Sequence, residues 1–357
     1  MTVKVNQEKW VSANMRLDNH GPETTSENRA YADFYLHNPM GWGDELYVAL
    51  LNTYDPDSST YGSLRYNSFV LSPRWRSSLG FSTNEFFSRN LRQEGAPTIE
   101  GESDVIDASL TYHFKRSRVK NFSVGLKYMN IDTLTESFSV PSTEVVKKTS
   151  LSFNFDVLNQ KRRHLYVGDV SLHSASVEER GGFSEGDSDD YFVTTNFTVL
   201  SFFRIPWTQY DTRFLTKAAL QYSGKPLSNL NQVTLAGANR ARAFGPNAFQ
   251  ADDGVYLGVD WIFAMPQFGG ATLFGDPIKD VIQPYLFADA SWGEVHPLND
   301  GEEGITGNLS NIGAGLKLSF KNVSGSVSGS KVTTLDIDGL QGESEEKKFI
   351  FELQYKF

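Results

Sequence analysis

Strict alternation of apolar and polar residues is the feature that most constrains the fold of this chain. In the C-terminal stretch "KKFIFELQYKF", every second residue is aromatic or leucine. Alternate residues of a β-strand point to opposite faces, so each alternating segment predicts a strand with one apolar and one polar face. The clearest of these segments are 11–18, 105–115, 122–128, 151–157, 255–263, 311–320 and 349–357.

Composition excludes several classes of protein. The longest uninterrupted apolar run is Leu46–Leu51, far short of the ~20 residues that a membrane helix requires. A membrane β-barrel needs only ~10 residues per strand, half of them facing lipid, and this fits a mean hydropathy of −0.37. The chain has no cysteine, so it has no disulfides or thiolate metal sites. Its formal charge of −10 argues against a nucleic-acid partner.

Two all-β arrangements fit the alternation. A soluble sandwich turns its apolar faces inward, whereas a membrane barrel turns them outward to lipid around a wet interior. Membrane barrels have long connections on one side and short turns on the other. Long connections are predicted near 18–28, 91–103, 132–143, 178–190, 224–252, 293–308 and 336–346. Short turns are predicted near 72–75, 115–119, 158–162, 205–209 and 320–323.

Charge is sorted in the same way as connection length. Long connections such as "EERGGFSEGDSDD" are acidic, and short turns such as "KRSRVK" are basic. Because a two-sided molecule explains this sorting and a sandwich does not, we predict an antiparallel transmembrane β-barrel of about sixteen strands. The barrel would lie in a bacterial outer membrane, with its long loops outside the cell and its short turns in the periplasm.

The last strand is predicted to close the barrel by pairing with the first, near residues 8–18, because hydrocarbon does not tolerate an open sheet edge.

A terminal aromatic residue after an alternating strand resembles the signal read by the outer-membrane barrel-assembly machinery. The residues of this candidate signal are Phe349, Phe351, Leu353, Tyr355 and Phe357.

The longest connection contains "LAGANRARAF", which resembles the surface-loop motif of two-partner secretion transporters, the ShlB/FhaC/HecB family, relatives of BamA-type barrels. In that family a Gly-Gly pair precedes a Val-Arg-Gly-Phe/Tyr tetrapeptide and a Gly-Asp-x-Gly entry into the next strand. The matching residues here are Gly237, Arg242, Phe244, Asp252 and Gly254. Alanine replaces a family glycine at 236, 243 and 251.

A second stretch, "QPYLFADASWG", resembles the family's Phe-x-Asp-x-Gly strand motif, with Phe287, Asp289 and, in place of glycine, Ser291. Alternation independently places these three residues on the polar face. The resemblance implies that loop 224–252 folds into the lumen, where Arg242 needs an anion that Asp289 can supply. Arg240 is an alternative partner for Asp289 on the sequence alone.

The resemblance implies a pore that exports a large, unfolded exoprotein without ATP. Residues 1–7 are interpreted as an N-terminal remnant or linker and 8–357 as the barrel; the family's plug helix and periplasmic POTRA domains have no counterpart in this sequence. The expected partners are the exoprotein, outer-membrane lipid and the assembly machinery. The six histidines show no metal-ligand spacing, so we expect no metal, cofactor or enzymatic activity.

Other functions remain open on the sequence alone. A BamA-type insertase would share the loop motif but act on barrel precursors. A passive porin would lack the arginine and wall aspartate, and a soluble sandwich would need no membrane.

Overall fold

Sixteen antiparallel strands form a closed barrel in a computed structural model of this chain. The structure describes residues 9–89, 98–137, 140–182, 185–204, 211–263, 271–273, 275–299, 301–339 and 347–357. The predicted remnant 1–7 and the turn predicted near 205–209 lie outside these described residues, as do parts of the connections predicted near 91–103 and 336–346.

Each barrel strand pairs with its neighbours along the chain. In order, the barrel strands are β1 Val11–Asp18, β2 Arg29–His37, β3 Glu45–Thr53, β4 Ser59–Val70, β5 Ser72–Arg89, β6 Thr98–Lys115, β7 Lys120–Ser137, β8 Val140–Asn159, β9 His164–Gly181, β10 Gly186–Arg204, β11 Asp211–Tyr222, β14 Asp253–Phe263, β17 Ile282–Val295, β18 Ile305–Phe320, β19 Val323–Ile337 and β20 Lys347–Lys356. Closure is between β1 and β20, with Leu17 opposite Leu353. The predicted fold class, strand number and closing pair are confirmed.

The apolar faces of the strands point outward. Leu257 on β14 and Leu286 on β17 are 50% and 47% exposed, whereas their neighbours Tyr256 and Phe287 are 2% and 4% exposed. A large exposed apolar face is stable only against another apolar medium, here lipid. The final strand follows this rule, since Phe349, Leu353 and Phe357 are exposed and Ile350 is buried.

Aromatic side chains form a band around the outside of the barrel, near the short-turn end of β6–β10. Successive ring contacts of 6.0–6.3 Å between centroids link this series across the strands. Its members are Phe114, Phe122, Phe153, Phe155, Tyr166 and Phe197. Girdles of this kind mark the membrane interface of outer-membrane barrels.

Several predicted connections are wrong in their bounds, because the hairpins are longer than the alternation suggests. The stretch 132–143 is almost entirely strand, and in 178–190 the ladder continues until Gly181 and resumes at Gly186. Strands β5–β10 have 18–20 residues, about twice what a membrane crossing needs. Beyond the membrane the outward faces meet water and Val146, Ala175 and Val177 are buried on the other face, so pairing continues while the outward apolar face disappears.

The remaining elements are short. They are β12 Val233–Thr234, β13 Gln250–Ala251, β15 Thr272–Leu273, β16 Asp276–Pro277 and the helix α1 Ile278–Val281. β12 pairs with β13 inside the long β11–β14 connection. Among the described residues, no helix combines the length and apolarity needed to cross a membrane.

Candidate functional site

The connection between β11 and β14, residues 223–252, packs against the inner wall of the barrel; we call it the lumen loop. Its buried apolar residues form a cluster with wall residues of β18 and β19. The cluster comprises Leu235, Ala236, Ala241, Ala243, Phe244, Phe249, Ala251, Leu309 and Ile337. The three alanines that replace family glycines all belong to it, so their methyl groups are accommodated in the packing.

The tip of the lumen loop is a tight turn around Gly237. The Arg240 amide donates to the Gly237 carbonyl at 2.9 Å, and the Gly237 amide donates to the Ala241 carbonyl at 3.2 Å. Gly237 has φ of +99°, a conformation that side chains with a Cβ rarely adopt. A Cβ there would also lie 3.1 Å from Pro246. The positive φ therefore favours glycine at this position, and the close approach of Pro246 leaves little room for a larger residue.

Arg242 is the centre of the contact between the loop and the wall. Its Nε donates to Asp289 Oδ2 at 2.8 Å and its Nη2 to Asp289 Oδ1 at 2.8 Å. The same Nη2 donates to Asp260 Oδ1 at 2.7 Å. The guanidinium carbon lies 3.8 Å from the centroid of the Phe287 ring, a cation–π geometry. One loop cation thus bridges strands β14 and β17.

The two carboxylates compensate the positive charge of Arg242 in its buried position. Its side chain is 12% exposed, and that of Asp289 is fully buried. Burial disfavours the cation, but the hydrogen bonds and charges of Asp289 and Asp260 outweigh it and hold the pKa of Arg242 above the usual arginine value. Removing one partner of such a buried pair leaves an uncompensated charge, at a cost of about 3–5 kcal/mol.

Asp289 also accepts hydrogen bonds from the wall itself. Tyr256 Oη donates to its Oδ1 at 3.0 Å, and Asn311 Nδ2 donates to its Oδ2 at 2.9 Å. Asn311 also accepts from the Ala243 amide at 3.3 Å. Asp260, Tyr256 and Asn311 were missed by sequence motifs, although alternation in 255–263 and 311–320 places all three on the polar face.

The other predicted site residues support the base of the loop. Asp252 is fully buried and accepts from the Leu227 amide at 3.0 Å, Gln232 Nε2 at 2.9 Å and the His296 amide at 2.7 Å. Ser291 Oγ donates to the Leu235 carbonyl at 2.7 Å. Phe244 packs in the apolar cluster. The loop and wall motifs therefore meet in space.

Glycines on the wall make room for the lumen loop. A Cβ at Gly254 would lie 3.0 Å from Leu235, and one at Gly293 would lie 2.4 Å from the same side chain. At Gly313 it would lie 2.2 Å from the Phe287 ring, and at Gly258 2.8 Å from Asp289 Oδ1. The ion pair and the loop thus occupy space that these glycines leave free on the inner wall. Of these glycines, only Gly254 was part of the sequence motifs.

The apolar belt, the closed ladder and the internal loop define a transmembrane β-barrel of the bacterial outer membrane. The chain belongs to the family described as "Haemolysin secretion/activation protein ShlB/FhaC/HecB", which matches residues 1–318. This confirms the family resemblance and the outer-membrane location inferred from the sequence.

Known relatives agree with this assignment. "Heme/hemopexin transporter protein HuxB" of Haemophilus influenzae (strain 86-028NP) is 21% identical over 327 residues, covering 89% of this chain and 56% of the relative. The homologous protein of Haemophilus influenzae (strain ATCC 51907 / DSM 11121 / KW20 / Rd) is 20% identical over 329 residues with the same coverage. The chain thus spans about half the length, 56%, of these curated relatives.

Solved structures show the same fold. "CdiB from Acinetobacter baumannii" superposes with a TM-score of 0.74 at 14% identity, covering 98% of this chain and 60% of that one. "CdiB from Escherichia coli" gives 0.76 at 15% identity, covering 99% and 64%. BamA from Haemophilus ducreyi lacking POTRA domains 1–3 gives 0.63 at 13% identity, covering 98% and 71%.

Proposed function

We propose that this barrel is the membrane pore of a two-partner secretion system and conducts a large, unfolded exoprotein to the cell surface. The observation that carries the proposal is the lumen loop tied to the wall by Arg242, Asp289 and Asp260 in a barrel of this family. The ion pair positions the loop within the path that an exported chain takes.

The inner face has the chemistry that an unfolded chain in transit requires. An extended polypeptide exposes its backbone N–H and C=O groups, which need water or polar side chains as partners. Polar residues such as Asn121, Asn154 and Thr198 line a cavity on the inner face of β7, β8 and β10. No nucleotide is required, because folding of the exoprotein outside the cell makes export favourable.

The outer surface is assigned to two further partners. Exposed apolar residues such as Leu126 and Leu257 contact outer-membrane lipid. The terminal residues Phe349, Phe351, Leu353, Tyr355 and Phe357 form the signal for the barrel-assembly machinery during biogenesis. Capture of the exoprotein is assigned to POTRA domains, as the family resemblance implies.

Export by Arg242→Ala tests the role of the ion pair. The amount of exoprotein on the surface of cells that co-express its candidate gene is expected to fall by about tenfold or more, because each ~1.4 kcal/mol of lost docking free energy lowers the ratio of docked to undocked loop tenfold. The amount of folded barrel in the membrane and its heat-modifiable migration in gels should not change. Arg180→Ala is the matched control, since Arg180 forms an exposed pair with Asp187 on an outer hairpin.

The outcome separates the competing functions. Unchanged export by Arg242→Ala contradicts the assigned role of the ion pair. Defective assembly of other outer-membrane proteins with normal exoprotein export would instead indicate an insertase.

A further inference from the structure

A cavity of about 620 Å³ opens in the lumen between the tip of the lumen loop and the inner face of the wall; we call it the tip cavity. Arg29, Lys148 and Arg240 line it, together with His20 and His173. None of its lining residues, all in the described part of the chain, is Asp or Glu. This is a strong local bias in a chain whose net charge is −10.

The three permanent cations of the tip cavity differ in their partners. Arg29 forms an ion pair with the buried Asp18 at 2.8 Å, a carboxylate that it shares with Arg16. Within the described ranges, Lys148 and Arg240 have no carboxylate oxygen at ion-pair distance. Lys148 Nζ donates to the side-chain oxygen of Asn231 at 3.1 Å. The carboxylate beyond it, Asp190, is already held by Asn231 Nδ2 at 2.7 Å.

Arg240 contrasts with Arg242, two residues further along the same loop. Arg242 has two carboxylates, whereas the Arg240 guanidinium lies 5.2 Å from the centroid of the Tyr256 ring. Burial lowers the pKa of Arg240 below the usual arginine value, as expected for a cation without a counter-ion. The loop turn thus directs one arginine to the wall and the other to the tip cavity.

We propose that Lys148 and Arg240 form an anion-binding site for carboxylates of an acidic polypeptide segment. Two cations without an ion-pair partner in a confined site favour an anionic ligand. The exposed side-chain amide of Asn239 also lines the tip cavity and can hydrogen-bond a peptide backbone. That this segment belongs to the exported chain rests on the proposed function.

The form of the tip cavity favours a peptide over a lone inorganic anion. Its volume of about 620 Å³ accommodates several residues, and it opens to the lumen. Its lining combines cations, amides and the ring of Phe192. A single phosphate would contact the cations and leave the amide of Asn239 unused.

Binding of fluorescein-labelled hexaglutamate to the folded chain in zwitterionic detergent tests the site. Fluorescence anisotropy at about 50 mM salt, where screening is moderate, is expected to show binding of hexaglutamate but not of hexalysine. Lys148→Gln and Arg240→Gln should each weaken binding about tenfold or more, because each removes a charge-assisted hydrogen bond. Arg240→Lys should retain most of it.

Lys217→Gln is the matched control and should bind as the unaltered chain does. Lys217 lies opposite Gly258 on the inner face but does not line the tip cavity. Heat-modifiable migration verifies that each variant is folded. Undiminished binding by the Lys148→Gln, Arg240→Gln double variant overturns the site, and competition by inorganic phosphate as strong as by unlabelled hexaglutamate overturns the peptide assignment. Because the assay needs no export, its failure and a failure of Arg242-dependent export are distinguishable.

Discussion

Arg242 shows how a single side chain positions a long loop. Its planar guanidinium satisfies Asp289 through two nitrogens and Asp260 through one of them, and it stacks on the Phe287 ring. Lysine offers one point charge and cannot reproduce this fork. The arrangement also depends on Gly313, since the Phe287 ring occupies the space where a Cβ at residue 313 would be.

Gly313→Ala is expected to displace the Phe287 ring from Arg242 and to destabilise the barrel by about 1–3 kcal/mol, as overpacked sites usually do. Its methyl group would lie 2.2 Å from the ring and 2.4 Å from the Gly329 carbonyl oxygen. Gly329→Ala is the matched control, because a Cβ at that position meets nothing within 4 Å. Urea unfolding in lipid vesicles measures both variants. Equal stability of the two would contradict the described packing of Phe287.

Motif and alternation together predicted part of this site. They placed Arg242 in the loop and Asp289 on the inner face, but they left Arg240 as an alternative partner for Asp289. To predict Asp260 as a second partner of Arg242, one must know the strand register that places it opposite Phe287 on the neighbouring strand. Alternation fixes the face on which Asp260 lies, but a shift of two residues between β14 and β17 would keep that face and change the neighbour.

At the scale of strands, the barrel depends on which face meets lipid. The alternation predicted the faces correctly where strands cross the membrane, as at Leu110 and Leu126, which are 41% and 53% exposed. It could not predict the outer halves of β7–β10, because water removes the outward apolar face there and Val146, Ala175 and Val177 are buried on the inner face instead. Those halves are stabilised by backbone pairing and by contacts such as that of Lys147 with Glu178, at 3.0 Å.

Leu110→Arg is expected to destabilise folding by about 2–4 kcal/mol, since it places a charge in hydrocarbon. Thr111→Arg, one residue further along the same strand, should cost much less because its side chain enters the wet lumen. Denaturant titrations in phospholipid vesicles measure the folding free energy of each variant and allow the comparison. A larger loss for Thr111→Arg would show that the assigned faces are inverted.

The whole molecule is two-sided. Its basic short turns lie at the end of the barrel where the first strand begins and the last strand ends, and its acidic hairpins lie at the opposite end. Inside, the lumen loop covers one part of the wall, on β14, β17 and β18. The tip cavity remains between the loop, β2 and β8–β10. Placement of this loop against the inner wall is the central structural claim, because the ion pair and the tip cavity both depend on it.

Cross-linking in native outer membranes tests that placement most directly, and the absence of cysteine from the chain makes every introduced pair unambiguous. Ala243→Cys with Asn311→Cys joins two residues in contact, the Ala243 amide lying 3.3 Å from the Asn311 side-chain oxygen. The control pair is Ala243→Cys with Ser123→Cys, on the far wall at β7. Mild oxidation should produce a disulfide between 243 and 311, seen as altered migration in gels, and none between 243 and 123. A loop outside the barrel would leave 243 unlinked to 311, and that result would contradict the account.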